Sequence, residues 1–335
     1  MTPDRFQEIT GTYPRLTIAV IGDFCLDRYL EIDPARTETS IETGRPVHNV
    51  TRVRFQPGGA GTVLNNLVAL GVGAIVPVGF CGEDAEGHEL RHSLDTHDPV
   101  SMEHFLTTSE RRTFTYCKPL LMYPDRPPEE LNRLDFKNWT PTPRPVAERL
   151  ATSLAKIFPS IDALIVLNQV DLADTGVITR PVLTMLGELV NNRPEITVLG
   201  DSRTGFPDWP PMSFKMNTEE ARRQTGGDET PIDSWLAAKA RQTGRPAFVT
   251  LAEEGILTAA PNGNLHSTPS LPLRGEIDIV GAGDCVTANL VTALAAGALP
   301  EEAAILANTA ASHVIHQLGT TGAASVSDIA GLMPA

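Results

Sequence analysis

Residues 16–22 read LTIAVIG, and apolar runs of the same kind return at 73–80 (GAIVPVGF), 161–168 (IDALIVLN) and 196–201 (ITVLGD). Short β-branched runs with no polar alternation are the pattern of strands buried on both faces. Between them lie segments with apolar residues three and four apart, at 59–70, 86–95, 144–157 and 176–191, which predict helices. Strand and helix in regular alternation predict an α/β fold: a doubly wound, mostly parallel sheet with helices on both faces. Further on, FKMN (214–217), helices from 218 and near 232–242, a hairpin of 247–251 with 255–260, and helices near 284–297 and 301–317 extend the pattern. Two stretches depart from it. Residues 27–55 alternate apolar and polar positions, and 112–123 reads as another exposed strand, so both predict a half-exposed ribbon outside the main sheet. The Pro-rich segment 119–146 is a candidate linker, or a loop over the sheet edge.

The chain has 335 residues, 41% hydrophobic and 20% charged, a composition that excludes a disordered or fibrous protein. Its 41 acidic and 27 basic residues give a formal charge of −14, which argues against nucleic acid or an anionic membrane as partner. No run of 18 apolar residues occurs and the N-terminus lacks the apolar core of a signal peptide, so a cytoplasmic protein without a membrane span is expected. Cys25, Cys81, Cys117 and Cys285 are far apart in apolar surroundings and predict reduced, buried thiols.

Ligands of a doubly wound sheet sit beyond the carboxyl ends of its strands, and two glycine clusters could reach them there, Gly58–Gly59 and Gly281–Ala282–Gly283. None of the five lysines stands in a Gly-Lys-Ser/Thr run, which excludes a P-loop, and Val286 replaces the third glycine of a dinucleotide fingerprint. Small residues between EIDIV and the helix DCVTANLVTALAAG instead predict backbone N–H groups converging on an anion, with the positive end of the helix dipole behind them. Asp284 is expected at the cap of that helix. It reads either as an ordinary N-cap or as a carboxylate placed to take a proton from an attacking hydroxyl.

The run from Asp278 to Asp284 resembles the D-T-x-G-A-G-D signature of the ribokinase-like (PfkB-type) carbohydrate kinases, and 57–71 resembles their Gly-Gly helix motif. Smaller similarities lie between them: Asp23 and Asp27 after the first strand, Asn217 and Glu220 as an N-x-x-E element, Thr250 with Gly255, and Asn308 before Gly319. The kinase half of the bifunctional heptose-phosphate kinase/adenylyltransferases resembles it further at 22–29, 40–47 and 133–135. No nucleotidyltransferase half is expected within these residues. The resemblance implies one ribokinase-like domain over 1–335, with a small lid sheet from about 27–55 and 112–135 that also makes a homodimer. It implies an ATP-dependent kinase acting on a hydroxyl of a sugar or sugar phosphate. Asp284 would be the base, with Gly281, Ala282 and Gly283 as the anion hole. Asp27, Asp23, Gly58 and Gly59 would hold the sugar, a carboxylate suiting a vicinal diol because it accepts two hydrogen bonds. Asn217 and Glu220 would organise Mg²⁺ through water, and Thr250, Gly255 and Asn308 would line the nucleotide pocket. Ile279 and Val280 stand where the family has Thr, which leaves a monovalent cation open. Thr62 replaces a usual Asn, and Asn168 to Leu172 replaces D-Y-x-K-G with loss of a Lys.

His88-Glu89-Leu90-Arg91-His92 matches the HExxH zinc pattern letter by letter, but it falls on a predicted surface helix with no third ligand marked and reads as a solvated face. Arg36, Arg45, Arg52, Arg54 and Arg112 gather on the lid segments, either as exposed ribbon charges or as contacts for a phosphorylated acceptor. A kinase for a free sugar or nucleoside, and a catalytically silent sugar or nucleotide sensor, are the competing readings.

Overall fold

A computed structural model of the chain describes residues 1–226 and 230–333. Helix α1 (Pro3–Thr10) precedes strand β1 (Thr17–Gly22), after which come β2 (Phe24–Ile32), the short β3 (Glu38–Thr39) and β4 (Pro46–Val47), and β5 (Val50–Gly59). Then follow α2 (Ala60–Ala69), β6 (Ala74–Gly82), α3 (Ala85–Asp95), β7 (Phe105–Thr108), β8 (Phe114–Leu121), β9 (Glu129–Glu130) and β10 (Leu134–Phe136). From α4 (Arg144–Ile157) the alternation is regular, through β11 (Ala163–Asn168), α5 (Arg180–Asn192), β12 (Thr197–Ser202), β13 (Ser213–Asn217), α6 (Thr218–Thr225) and α7 (Ile232–Thr243). The chain ends with β14 (Ala247–Thr250), β15 (Ile256–Ala259), β16 (Leu265–Thr268), α8 (Ala282–Ala295), α9 (Pro300–Val314) and α10 (Val326–Ala330).

Nine strands form the main sheet in the order β16-β15-β14-β13-β12-β11-β1-β6-β7, parallel except for β15 and β16. Side chains of a strand alternate between faces, and in β1 both sets are apolar. Ile18 and Val20 pack into the core beneath α2, α8 and α9, whereas Ala19 and Ile21 enter the opposite core beneath α4, α5 and α7. Burial on both faces explains the unbroken apolar runs of the sequence.

A second sheet, ordered β10-β8-β2-β5 with β9 beside β8, carries the predicted ribbon. The Pro-rich segment is therefore not a linker: Pro119 to Leu121 completes β8, and β9 and β10 lie within it. Register fixes which residues share a face, because directly paired positions point to the same side. Asp27 is opposite both Gln56 and Tyr116, and Tyr116 is opposite Asp135, so these four look toward the main sheet's cleft together with Tyr29, Arg54 and Lys118 two positions along. The other face seats Arg28 on α3 through Glu86 at 3.3 Å, and farther out it leaves Val53, Leu134 and Phe136 exposed. All four cysteines are buried and unpaired. No helix among the described residues is long and apolar enough to cross a membrane.

Candidate active site

The carboxyl ends of β1, β11, β12 and β13 meet the N-terminus of α8 along one edge of the sheet. Gly281 adopts φ +83°, a left-handed conformation that side chains rarely tolerate, and the helix starts after it at Ala282. Asp284 is consequently the third residue of α8 and not its cap, a correction to the expectation from sequence. The N–H of Ala282 donates to the Ile279 carbonyl at 3.2 Å and that of Cys285 to Gly281 at 2.9 Å, whereas those of Gly283 and Asp284 are left for a ligand. Asp278 fixes this turn by accepting from Val280 N at 3.0 Å and Gly319 N at 3.1 Å. The loop so held also reaches the lid sheet, where Gln56 Nε2 donates to Thr320 Oγ1 at 2.9 Å.

Beneath the helix end lies a buried cation that the sequence did not single out. Lys215 Nζ sits where a Cβ on Gly283 would approach it to 3.2 Å, which places the ammonium close against the turn. It donates to Asp201 Oδ2 at 2.9 Å, and Thr287 Oγ1 donates to the same oxygen at 2.7 Å, all three side chains being buried. These residues come from β13, β12 and α8, and nothing in their spacing joins them; the sheet order does. Burial, reinforced by the Asp201 charge, pushes the Asp284 carboxyl up to about 7, with Lys215 and Arg203 pulling the other way. A half-buried carboxylate poised at neutral pH beside unbonded N–H groups and a cation has the parts for accepting a proton while anionic charge is held next to it.

Across the cleft, Asp27 is buried and stands 3.4 Å from Lys118 Nζ, and its charge is felt at Asp284. Burial raises the Asp27 carboxyl above the ordinary range while Lys118 draws it back. Gly58 and Gly59 leave room here: a Cβ on Gly58 would lie 3.2 Å from Asp27 Oδ2, and one on Gly59, at φ +56°, 2.6 Å from the Asp23 carbonyl. Asp23 itself is 2% exposed, and its carboxylate accepts from Gln169 N at 2.8 Å and Val177 N at 2.7 Å. Through both oxygens it anchors the loop after β11.

Asn217 and Glu220 form a reciprocal capping box on α6, with Glu220 N donating to Asn217 Oδ1 and Asn217 N to Glu220 Oε2, each at 2.8 Å. Burial raises the Glu220 carboxyl, to which the charge of nearby Asp201 adds. Its second oxygen is uncommitted. A donor set of one carboxylate oxygen fits an ion that keeps most of its water, as Mg²⁺ does. Thr250 ends β14, Gly255 turns it into β15 at φ +97°, and Asn308 Nδ2 donates to the Pro269 carbonyl at 2.8 Å, so these three gather at the hairpin edge of the sheet.

The lid arginines are mostly engaged. Arg54 and Arg52 approach Glu31 at 2.6 and 4.0 Å, Arg36 pairs with Asp33 at 3.1 Å, and Arg112 lies over the Phe136 ring. His88 and His92 stack on the exposed side of α3, and among the described residues no cluster of three metal-ligating side chains occurs.

Residues 211–326 match the profile of the pfkB family carbohydrate kinases. The bifunctional protein HldE of Azorhizobium caulinodans is 29% identical over 309 residues, 90% of this chain and 61% of that protein. HldE of Paramagnetospirillum magneticum is 26% identical over 95% of this chain and 62% of its own length. The chain thus spans about three fifths of the curated relatives it matches. Arabidopsis thaliana ribokinase, solved with ribose and ATP, superposes with a TM-score of 0.69 at 18% identity over 95% of this chain and 98% of that one. Escherichia coli phosphofructokinase-2 with fructose-6-phosphate gives 0.67 at 17% identity over 95% and 97%.

Proposed function

We propose that this chain, a ribokinase-like carbohydrate kinase of the PfkB type, transfers the γ-phosphoryl group of ATP to a hydroxyl of a sugar phosphate, with a heptose 7-phosphate-like acceptor favoured. The observation that carries the reading is the Gly281 turn, which leaves the N–H groups of Gly283 and Asp284 open above the buried Lys215, with Asp284 in the first turn of α8. Asp27 accepts hydrogen bonds from sugar hydroxyls and directs one of them to Asp284. Asp284 takes the hydroxyl proton as the oxygen bonds to the γ-phosphorus, and the bond from that phosphorus to the bridging oxygen breaks to release ADP. The α8 N-terminus and Lys215 hold the charge on the transferred group. Glu220 and Asn217 would hold the water shell of a Mg²⁺ bound with ATP, which would supply neutralisation of the phosphate charge. Thr250, Gly255 and Asn308 border the nucleotide. Acting where ATP is plentiful, the protein belongs in the cytoplasm, as a single domain whose lid, exposing Val53, Leu134 and Phe136 on its outer face, pairs with the lid of a second copy.

A free sugar is the second reading, and one observation favours it: the inward lid cations already have acidic partners, Lys118 with Asp27, Arg54 with Glu31 and Arg133 with Asp135. ADP release measured against free and phosphorylated sugars, heptose 7-phosphate among them, separates the two. Turnover with a phosphorylated sugar at higher kcat/KM than with its free form supports the proposal. Preference for the free form selects the second reading, and no turnover with any sugar in the presence of ATP and Mg²⁺ refutes both.

A further inference from the structure

We infer that Arg203, on the loop after β12, is the residue that recognises the phosphate ester of the acceptor, a specificity role that rests on the kinase reading above. Its backbone is firmly held: Arg203 N donates to the Asn168 carbonyl at 3.1 Å, and Asn168 Nδ2 donates to the flanking Ser202 Oγ at 3.1 Å and Thr204 Oγ1 at 3.0 Å. The side chain, by contrast, is exposed and has no acidic partner among the described residues. A fixed backbone carrying an unpaired guanidinium is the arrangement expected of a ligand contact, since an idle surface arginine needs no such anchoring.

Its position is given by the sheet. Arg203 follows Ser202, which pairs with Asn168 at the carboxyl ends of β12 and β11, between the β11 loop that Asp23 holds at Gln169 and the Asp201–Lys215 pair beneath α8. The paired lid cations are different. Lys118, Arg54 and Arg133 would each have to abandon a carboxylate to bind a phosphate, whereas Arg203 needs no exchange. Beside it, Asn168 Oδ1 is buried without a partner, an acceptor suited to a hydroxyl of the same ligand. The sequence resemblance had marked the neighbouring loop, 168–172, as having lost a lysine; a cation enters the same region from the next strand end.

The test compares Arg203→Ala and Arg203→Lys with the unmodified protein, using heptose 7-phosphate and the free heptose as acceptors. The expected result is that Arg203→Ala lowers the ratio of kcat/KM for the phosphorylated to the free sugar by about 10- to 100-fold, mostly through KM, with Arg203→Lys intermediate. Thermal stabilisation by heptose 7-phosphate without ATP is read in parallel and should shrink in Arg203→Ala. An equal loss on both acceptors, a rise confined to the KM for ATP, or an unchanged ratio overturns the inference and leaves the kinase reading standing. If no sugar is turned over, the kinase reading fails, and undiminished stabilisation of Arg203→Ala by the sugar phosphate still overturns the inference.

Discussion

The two sides of the cleft are built differently. On the α8 side, a buried lysine, a buried aspartate and a threonine from three elements lock together under a turn whose N–H groups are left open. On the lid side, charges lie in a row along one sheet face and neutralise one another in pairs. The first arrangement sets open N–H groups above a buried cation, and on the proposed reading it holds the phosphoryl group. The second can be retuned by changing one residue of a pair, because cross-strand neighbours are coupled locally and the main core is untouched. On the proposed reading, phosphoryl transfer is lodged in the part hardest to alter, and acceptor choice is divided between Arg203 and the lid, the part easiest to alter.

Removing the base should give the largest effect. Asp284→Asn is expected to lower kcat by about 100-fold or more while ATP binding persists, as measured by initial rates and by nucleotide titration. The same variant tests the energetic side of the contrast. A carboxyl raised to about 7 by burial destabilises the folded state above that pH, and the penalty disappears as pH falls toward the ordinary carboxylate value. Asp284→Asn should therefore raise Tm at pH 8 and leave it nearly unchanged at pH 4.5. Wild-type turnover, or a lowered Tm at pH 8, breaks this half of the comparison.

On the lid side the expected change is smaller and different in kind. Lys118→Met removes the cation that draws the Asp27 carboxyl down, so Asp27 should take up a proton at higher pH than before. The acceptor KM should then rise by roughly 3- to 30-fold as pH is lowered from 8 to 6, over and above the wild-type trend, with kcat little altered. A fall in kcat matching that of the base variant would show that the two sides are not separable. The smallest effect is expected from Glu220→Gln, which keeps the shape of the capping box but removes the charge proposed to hold hydrated Mg²⁺. The Mg²⁺ concentration for half-maximal rate should rise by a few-fold, about 3 to 10, and unchanged Mg²⁺ dependence would remove Glu220 from the metal's surroundings.

Much of the architecture was legible because β1, β11 and β12 bury both faces and so read as continuous apolar runs. One boundary was misjudged for a local reason. Helix α5 begins at Arg180, not near 176, because Asp23 accepts from Val177 N and Thr142 Oγ1 donates to the Gly176 carbonyl, keeping that stretch out of helix until Arg180. In the site, residues within one contiguous turn, Gly281 to Asp284, could be singled out directly. Lys215, Asp201, Lys118 and Arg203 could not, since they become neighbours only through strand order and lid register. The part Asp23 plays in holding the loop at Gln169 and Val177 is likewise tertiary and invisible in a linear reading.

The central claim is that Asp284, tuned by its burial beside Asp201, is the base. The pH dependence of kcat/KM for the acceptor reports the proton affinity of such a group in the free enzyme, so it is the most direct measurement. The account predicts an acid limb that falls tenfold per pH unit below a midpoint of about 7. A profile flat from about pH 5 to 8, or an acid limb retained unchanged in the residual activity of Asp284→Asn, would contradict it.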